Sequence, residues 1–275
     1  MTFRIAQISD THLSESKPFF VDNFVRIGEA LRSAKPDLVL NTGDITLDGA
    51  SQESDLAAAR LLHDALGLPV RFIPGNHDLG DSPYGPSPGE HTIDAVRRAR
   101  YLKHFGPDWW SFDIPGWRIL GINAQLLGSD LPEAAEQESA VAHAMEGLGL
   151  RSLALFLHRP MFDKSPDETE IGGRFVHPEP RQRLLAAFGA VVPALVVCGH
   201  VHQYRESWSG STRHVWGTST GYVIPDRRQP RYGLKEVGYV EHTLRPDGTH
   251  RSELVRVPGV ETLNIENFPG AYGPV

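Results

Sequence analysis

The chain has 275 residues, 40% of them hydrophobic, and its 27 basic and 34 acidic side chains leave a formal charge of −7. That length holds one large domain or two small ones, and that composition excludes disorder and fibrous repeats. The acidic balance offers no global basic field to an extended nucleic-acid partner.

Residues 3–9 form an apolar run of strand length. The stretch 1–13 around it lacks the basic-then-apolar layout of a secretory signal, and nowhere does an apolar run approach the ~18 residues of a membrane span. The single cysteine, Cys198, has no partner for an internal disulfide, so a soluble cytoplasmic protein with no membrane partner is expected. Helical spacing at 21–34 (Val21, Phe24, Val25, Leu31) leads to a strand at 38–42, a helix at 56–66 stopped by Gly67, and a strand at 70–73. Residues 110–114 and 117–123 flank Pro115-Gly116 as a hairpin. Strands at 153–157 and 195–198 bracket a helix at 178–188 stopped by Gly189, and 213–218 and 238–244 read as strands without an intervening helix. Continuous apolar runs require burial on both faces. The reading is therefore α/β, one domain of mixed sheets packed face to face between helical layers. After about Pro258 no periodicity remains, and this tail either covers an edge, pairs with another chain or stays loose.

Five segments carry chemistry: Asp10-x-His12, Gly43-Asp44, Gly75-Asn76-His77-Asp78, His158, and Gly199-His200-x-His202. Each follows a strand, and the carboxyl ends of strands in open α/β sheets are where ligands bind, so distant segments can converge there. Two carboxylates, an amide oxygen and four imidazoles form a mixed N/O donor set that suits Mn, Fe, Zn or Co better than Ca or Mg. The set is too large for one tetrahedral site and suits two ions, divalent or trivalent, sharing one carboxylate. A solvent hydroxide held between them, not a side chain, is then the expected nucleophile. Gly43, Gly75 and Gly199 stand directly before ligands, where the chain needs positive φ or close backbone approach.

These five segments, in this order, are similar to the motif set of the calcineurin-like metallophosphoesterases, over residues 1 to about 245. Order and size resemble the bacterial cyclic-nucleotide and glycerophosphodiester phosphodiesterase branch. The resemblance implies a four-layer αββα sandwich with two mixed β-sheets over residues 1–258, with 259–275 as a C-terminal tail. It implies that Asp10, His12 and His202 hold one metal, that Asn76, His158 and His200 hold the second, and that Asp44 bridges both. His77 would meet the phosphate and protonate the departing alkoxide, with Asp78 orienting its ring. The function implied is a binuclear metal-dependent phosphodiesterase acting on a small-molecule ester. A phosphomonoesterase (nucleotidase or phosphoprotein phosphatase) and a non-catalytic scaffold of the same fold are the alternatives. One position departs: many members of the branch read His-His-Pro where this chain reads His158-Arg159-Pro160, which weighs against a cyclic nucleotide.

Other conspicuous residues have plainer readings. Arg97, Arg98, Arg100 and Lys103, and Arg227, Arg228 and Arg231, read as solvated basic faces. Trp109 and Trp110 read as core or sheet cover, and Cys198 as a small buried hydrophobe. The loops 79–91, 163–178 and 218–232 should wall the pocket, with Tyr84, His91, Arg159, Phe162, Phe175 and His177 as candidate substrate contacts. A homo-oligomer is compatible with all of this.

Overall fold

The computed structural model describes residues 1–85, 91–169 and 172–272. In chain order its main elements are β1 (Phe3–Ile8), α1 (Val21–Ala34), β2 (Leu38–Asn41), α2 (Glu53–Asp64), β3 (Val70–Phe72), the single turn α3 (Asn76–Leu79), α4 (Ala95–Phe105), β4 (Trp110–Ile114) and β5 (Trp117–Gly121). They continue with α5 (Pro132–Met145), β6 (Ser152–Phe156), α6 (Pro178–Ala187), β7 (Leu195–Cys198), β8 (Arg205–Ser209), β9 (Thr212–Trp216), β10 (Tyr239–Leu244) and β11 (His250–Val255). Helices α4 and α5 and strands β8 and β11 were not among the expected elements.

The strands form two mixed sheets, ordered β11-β10-β1-β2-β3 and β4-β5-β6-β7-β9-β8. β1, β2 and β3 run parallel, as do β5, β6, β7 and β9, while the added strands are antiparallel. Alternation along each strand explains the layering. Ile5, Leu40, Ile119, Phe156, Val197, Val215 and Val240 meet between the sheets. The opposite faces of β1 and β2 pack on Phe24 and Ile27 of α1, Leu56 of α2 and Tyr101 of α4. Across the molecule, Leu153, Leu155 and Val196 pack on Val141 of α5 and Leu184 of α6. This is the αββα sandwich. Its parallel strands direct their carboxyl ends to one edge, and Asp10, Asp44, Asn76, His158 and His200 all follow such ends.

Residues 259–272 lie against the body of the fold. Ile265 and Ala271 are buried with Phe20, Leu47 and Tyr222, and Phe268 packs on both Phe19 and Phe20. Arg227 and Arg228 pair with Glu266 of this segment, so that basic cluster ties down the tail.

Candidate metal centre

Two groups of donor atoms share one carboxylate. Asp10, His12, Asp44 and His202 form the first, and Asp44, His158 and His200 the second, with donors in each group all within 4.8 Å of one another. In the first, His12 Nε2 lies 3.3 Å from His202 Nε2, which lies 3.3 Å from Asp10 Oδ1. In the second, His200 Nδ1 lies 3.1 Å from His158 Nε2, which lies 3.3 Å from Asp44 Oδ2. The same Oδ2 is 3.9 Å from His12 Nε2, so it faces both groups. The other Asp44 oxygen accepts from the amide of His77, the residue after Asn76, at 2.9 Å. Asn76 Oδ1 is buried and has no hydrogen-bond partner among the described residues.

These spacings fit metal ions. Two donors each ~2.1 Å from one ion and roughly 90–110° apart sit roughly 3.0–3.4 Å from each other. A buried amide oxygen without a protein partner is costly, and ligation removes that cost.

The local backbone is strained to aim these side chains. Asp10, His12, Asp44, His200 and His202 all have φ between 45° and 72°, and outside this set only Lys35, the C-cap of α1, is a non-glycine with positive φ among the described residues. Non-glycine residues pay for that conformation, and such strain collects at functional sites. Of the three glycines before ligands, only Gly43 has positive φ. Gly75 and Gly199 are needed for space. A Cβ on Gly75 would fall inside Asp44 N and Oδ1, and one on Gly199 inside Ser9 Oγ. Gly75→Ala is expected to destabilise the fold by about 1–3 kcal/mol, through overpacking, and to displace Asp44. Denaturant unfolding and metal content of the purified variant check this.

Charge is arranged in alternation. Burial opposes ionisation of Asp44, but the imidazoles of His158, His77 and His12 outweigh it and hold the carboxyl well below the usual range. Burial also opposes charge on His158, but Asp44 raises it to about 9. His202 is raised in the same way by Asp10. His12 and His200 go the other way, pushed well down by burial and by neighbouring imidazoles. Each facing nitrogen pair thus sets a ring whose pKa is raised against one whose pKa is lowered.

Asp78 differs from expectation. It does not touch the His77 ring, whose Nδ1 donates instead to the Leu47 carbonyl at 2.9 Å. Its carboxylate accepts from Gly75 N, Ile45 N, Thr46 N and Thr46 Oγ1, stapling the Asp44 and Asn76 loops together. Burial and the Asp44 charge raise its pKa to about 6.

A cavity of about 740 Å³ opens beside Asn76 and His77, lined also by Asp48, Asp55, Asp81, His91, Lys17 and Tyr272. Of the candidate substrate contacts, His91 alone reaches it. Arg159 itself is buried against Asp81 and Ser82. Phe162 and Phe175 are core residues, and Tyr84 stacks on His177 with ring centroids 4.0 Å apart. Residues 86–90 of the first expected wall and 170–171 of the second lie outside the described residues. The α4 basic residues are held by structure, Arg98 by Asp108 and Glu133, Lys103 by Glu53, and Arg97 and Arg100 by the Ala50 carbonyl. Trp109 lies under Arg98, Trp110 donates to the Phe72 carbonyl, and Cys198 is buried. Tyr222 and Tyr272, whose hydroxyls approach His12, had no signal in the sequence.

The family profile described as Calcineurin-like phosphoesterase matches residues 3–204. A probable glycerophosphodiester phosphodiesterase of Arcobacter nitrofigilis is 26% identical over 209 residues, 72% of this chain and 71% of that protein. A probable cyclic nucleotide phosphodiesterase of Synechococcus is 26% identical over 261 residues, 92% of each. A serine/threonine-protein phosphatase of Danio rerio is 27% identical over 222 residues, 76% of this chain and 67% of that protein. Among solved structures, a purple acid phosphatase from yellow lupin superposes with TM-score 0.66 at 15% identity, over 95% of this chain and 52% of that one. A dimetal phosphatase from Danio rerio superposes with TM-score 0.58 at 12% identity, over 92% and 99%. By its profile match over most of its length, the chain belongs to the calcineurin-like phosphoesterase family and is a metal-dependent phosphoester hydrolase.

Proposed function

We propose that the protein hydrolyses a small phosphodiester at a two-metal centre, with Asp10, His12 and His202 holding one ion, Asn76, His158 and His200 the other, and Asp44 shared. The observation that carries this is the position of Asp44 Oδ2 between both histidine groups. The balance of imidazole and carboxylate donors suits Mn, Fe, Zn or Co as the occupants. When bound, such ions stabilise charge on the phosphoryl oxygens and bring the pKa of a bound water toward neutrality.

The protein's own groups do the rest. The buried imidazoles and carboxylates fix the centre in a low-dielectric setting, where its charges act strongly. His77, held through Nδ1 by the Leu47 carbonyl, has its other ring nitrogen available to the cavity it lines, and protonates the leaving alkoxide. Among the described residues the cavity carries three carboxylates, and its one lysine is held through Nζ by the Ala271 carbonyl at 3.1 Å. That lining disfavours a dianionic monoester relative to a monoanionic diester. The phosphodiesterase names of two relatives support the same choice. The buried Cys198, alone of its kind, supports a cytoplasmic setting.

Manganese-loaded protein is expected to turn over bis(p-nitrophenyl) phosphate faster than p-nitrophenyl phosphate. The reverse order would favour a phosphomonoesterase, the reading supported by similarity to the protein named a serine/threonine phosphatase. His77→Ala is expected to keep its metal and lose about 10²–10⁴-fold in rate. That loss should be larger for alkyl than for nitrophenyl leaving groups, and equal losses would remove the proton-donor role.

A further inference from the structure

We infer that Tyr272 is a positioning residue of the metal centre: the C-terminal tail carries its hydroxyl to His12 and sets the orientation of that ligand's ring. The inference rests on the two-metal reading above. Its basis is a comparison of the imidazoles. His158 Nδ1 is 2.8 Å from the Thr42 carbonyl and His202 Nδ1 is 2.9 Å from the Tyr222 carbonyl. In both, a main-chain oxygen fixes the tautomer and leaves Nε2 toward the other donors. His200 turns Nδ1 inward instead. His12 presents Nε2 inward like His158 and His202, but its outer nitrogen meets Tyr272 Oη at 2.9 Å.

A chain of donors follows. With Nε2 as the ligand atom, the proton of His12 is on Nδ1, which then donates to Tyr272 Oη, and the Tyr272 and Tyr222 hydroxyls share a hydrogen bond of 2.6 Å. Partners of this kind orient metal-ligating histidines and raise their basicity. The hydroxyl is 260 positions from the ring it holds, on a segment anchored from several sides. Lys17 Nζ donates to the Ala271 carbonyl at 3.1 Å, Ile265 N donates to the Val223 carbonyl at 3.2 Å, and Phe268 packs on Phe19 and Phe20. The Tyr272 ring also stands 5.1 Å from the His77 ring and walls the cavity. The half of the centre that contains His12 is therefore completed by the tail.

The test is metal binding. Tyr272→Phe keeps the ring and removes only the hydroxyl. Metal-free protein titrated with Mn²⁺, with stoichiometry read by elemental analysis and geometry by the visible spectrum of the Co²⁺ form, is expected to lose about 10–100-fold in affinity for one equivalent only. The Co²⁺ spectrum of that equivalent should change, and the second should bind as in the wild type. Tyr222→Phe leaves the 2.9 Å contact of Tyr272 on His12 Nδ1 and removes only a longer one, 3.4 Å from Nε2, so it should shift affinity less. Thermal unfolding of the metal-free variants separates a folding defect from a loss at the site. A wild type that binds two equivalents beside a Tyr272→Phe variant of unchanged affinity and spectrum overturns this inference alone. A wild type that binds none overturns the two-metal reading and this inference with it.

Discussion

Asp44→Asn is expected to lower phosphodiester turnover by about 10³-fold or more and to reduce bound metal from two equivalents to at most one. The substitution is nearly isosteric, so the His77 amide keeps an oxygen acceptor in place of Oδ1. What disappears is the charge that faces both histidine groups through Oδ2. An ion pair's stabilisation of a phosphoryl transition state is worth several kcal/mol, and each ~1.4 kcal/mol is tenfold in rate. The variant should also lose the elevation of His158, whose basicity depends on Asp44. Turnover, elemental analysis and the titration of His158 by NMR are three separate readouts. Wild-type turnover with two bound equivalents would mean that Asp44 is not the shared ligand.

Why Asp44 was legible and Tyr272 was not is a question of how each is held. Asp44 follows a buried strand whose continuous apolar run announces its carboxyl end, and Asp10, His158 and His200 share that signature. Strand-end position is a property of the fold, so topology alone gathers these groups. Asp78 sits in the same motif, yet the direction of its side chain is decided by the amides of Gly75, Ile45 and Thr46, which spacing does not reveal. Tyr272 lies in a segment without periodicity, brought to the site by the packing of Phe268 and Ala271 with Phe20 and Tyr222. The unexpected elements fail for a related reason. The helix at Ala95–Phe105 buries only Tyr101 and Phe105 of eleven residues, so its arginines and lysine dominate the pattern. The strands Arg205–Ser209 and His250–Val255 are sheet edges with alternate residues exposed, and they carry few apolar side chains to mark them.

Metal uptake should grow steeply with pH. A ligand nitrogen must be unprotonated, so a cation entering the second group has to displace the proton of His158, which the metal-free protein holds up to about pH 9. Below that value each pH unit costs one decade of proton competition per proton displaced. The apparent affinity for at least one equivalent of Mn²⁺ should therefore rise about tenfold per unit from pH 6.5 to about 9 and then level off. His202, raised by Asp10, steepens the rise where it too is protonated. Stability runs in the opposite sense. The folded pKa of His158 lies above its ordinary value of about 6.5, so the favourable charge pairing with Asp44 is complete below pH 6.5 and fades as pH climbs through 9. Metal-free protein thus loses this contribution over the range in which metal binding gains, and the ions take over the neutralisation of Asp44 that protons provide at lower pH. Titration calorimetry in two buffers of different ionisation enthalpy reads the protons released, and chelator competition at pH 6.5, 7.5 and 8.5 reads the slope. An affinity independent of pH, with no proton release, would place the metal away from His158.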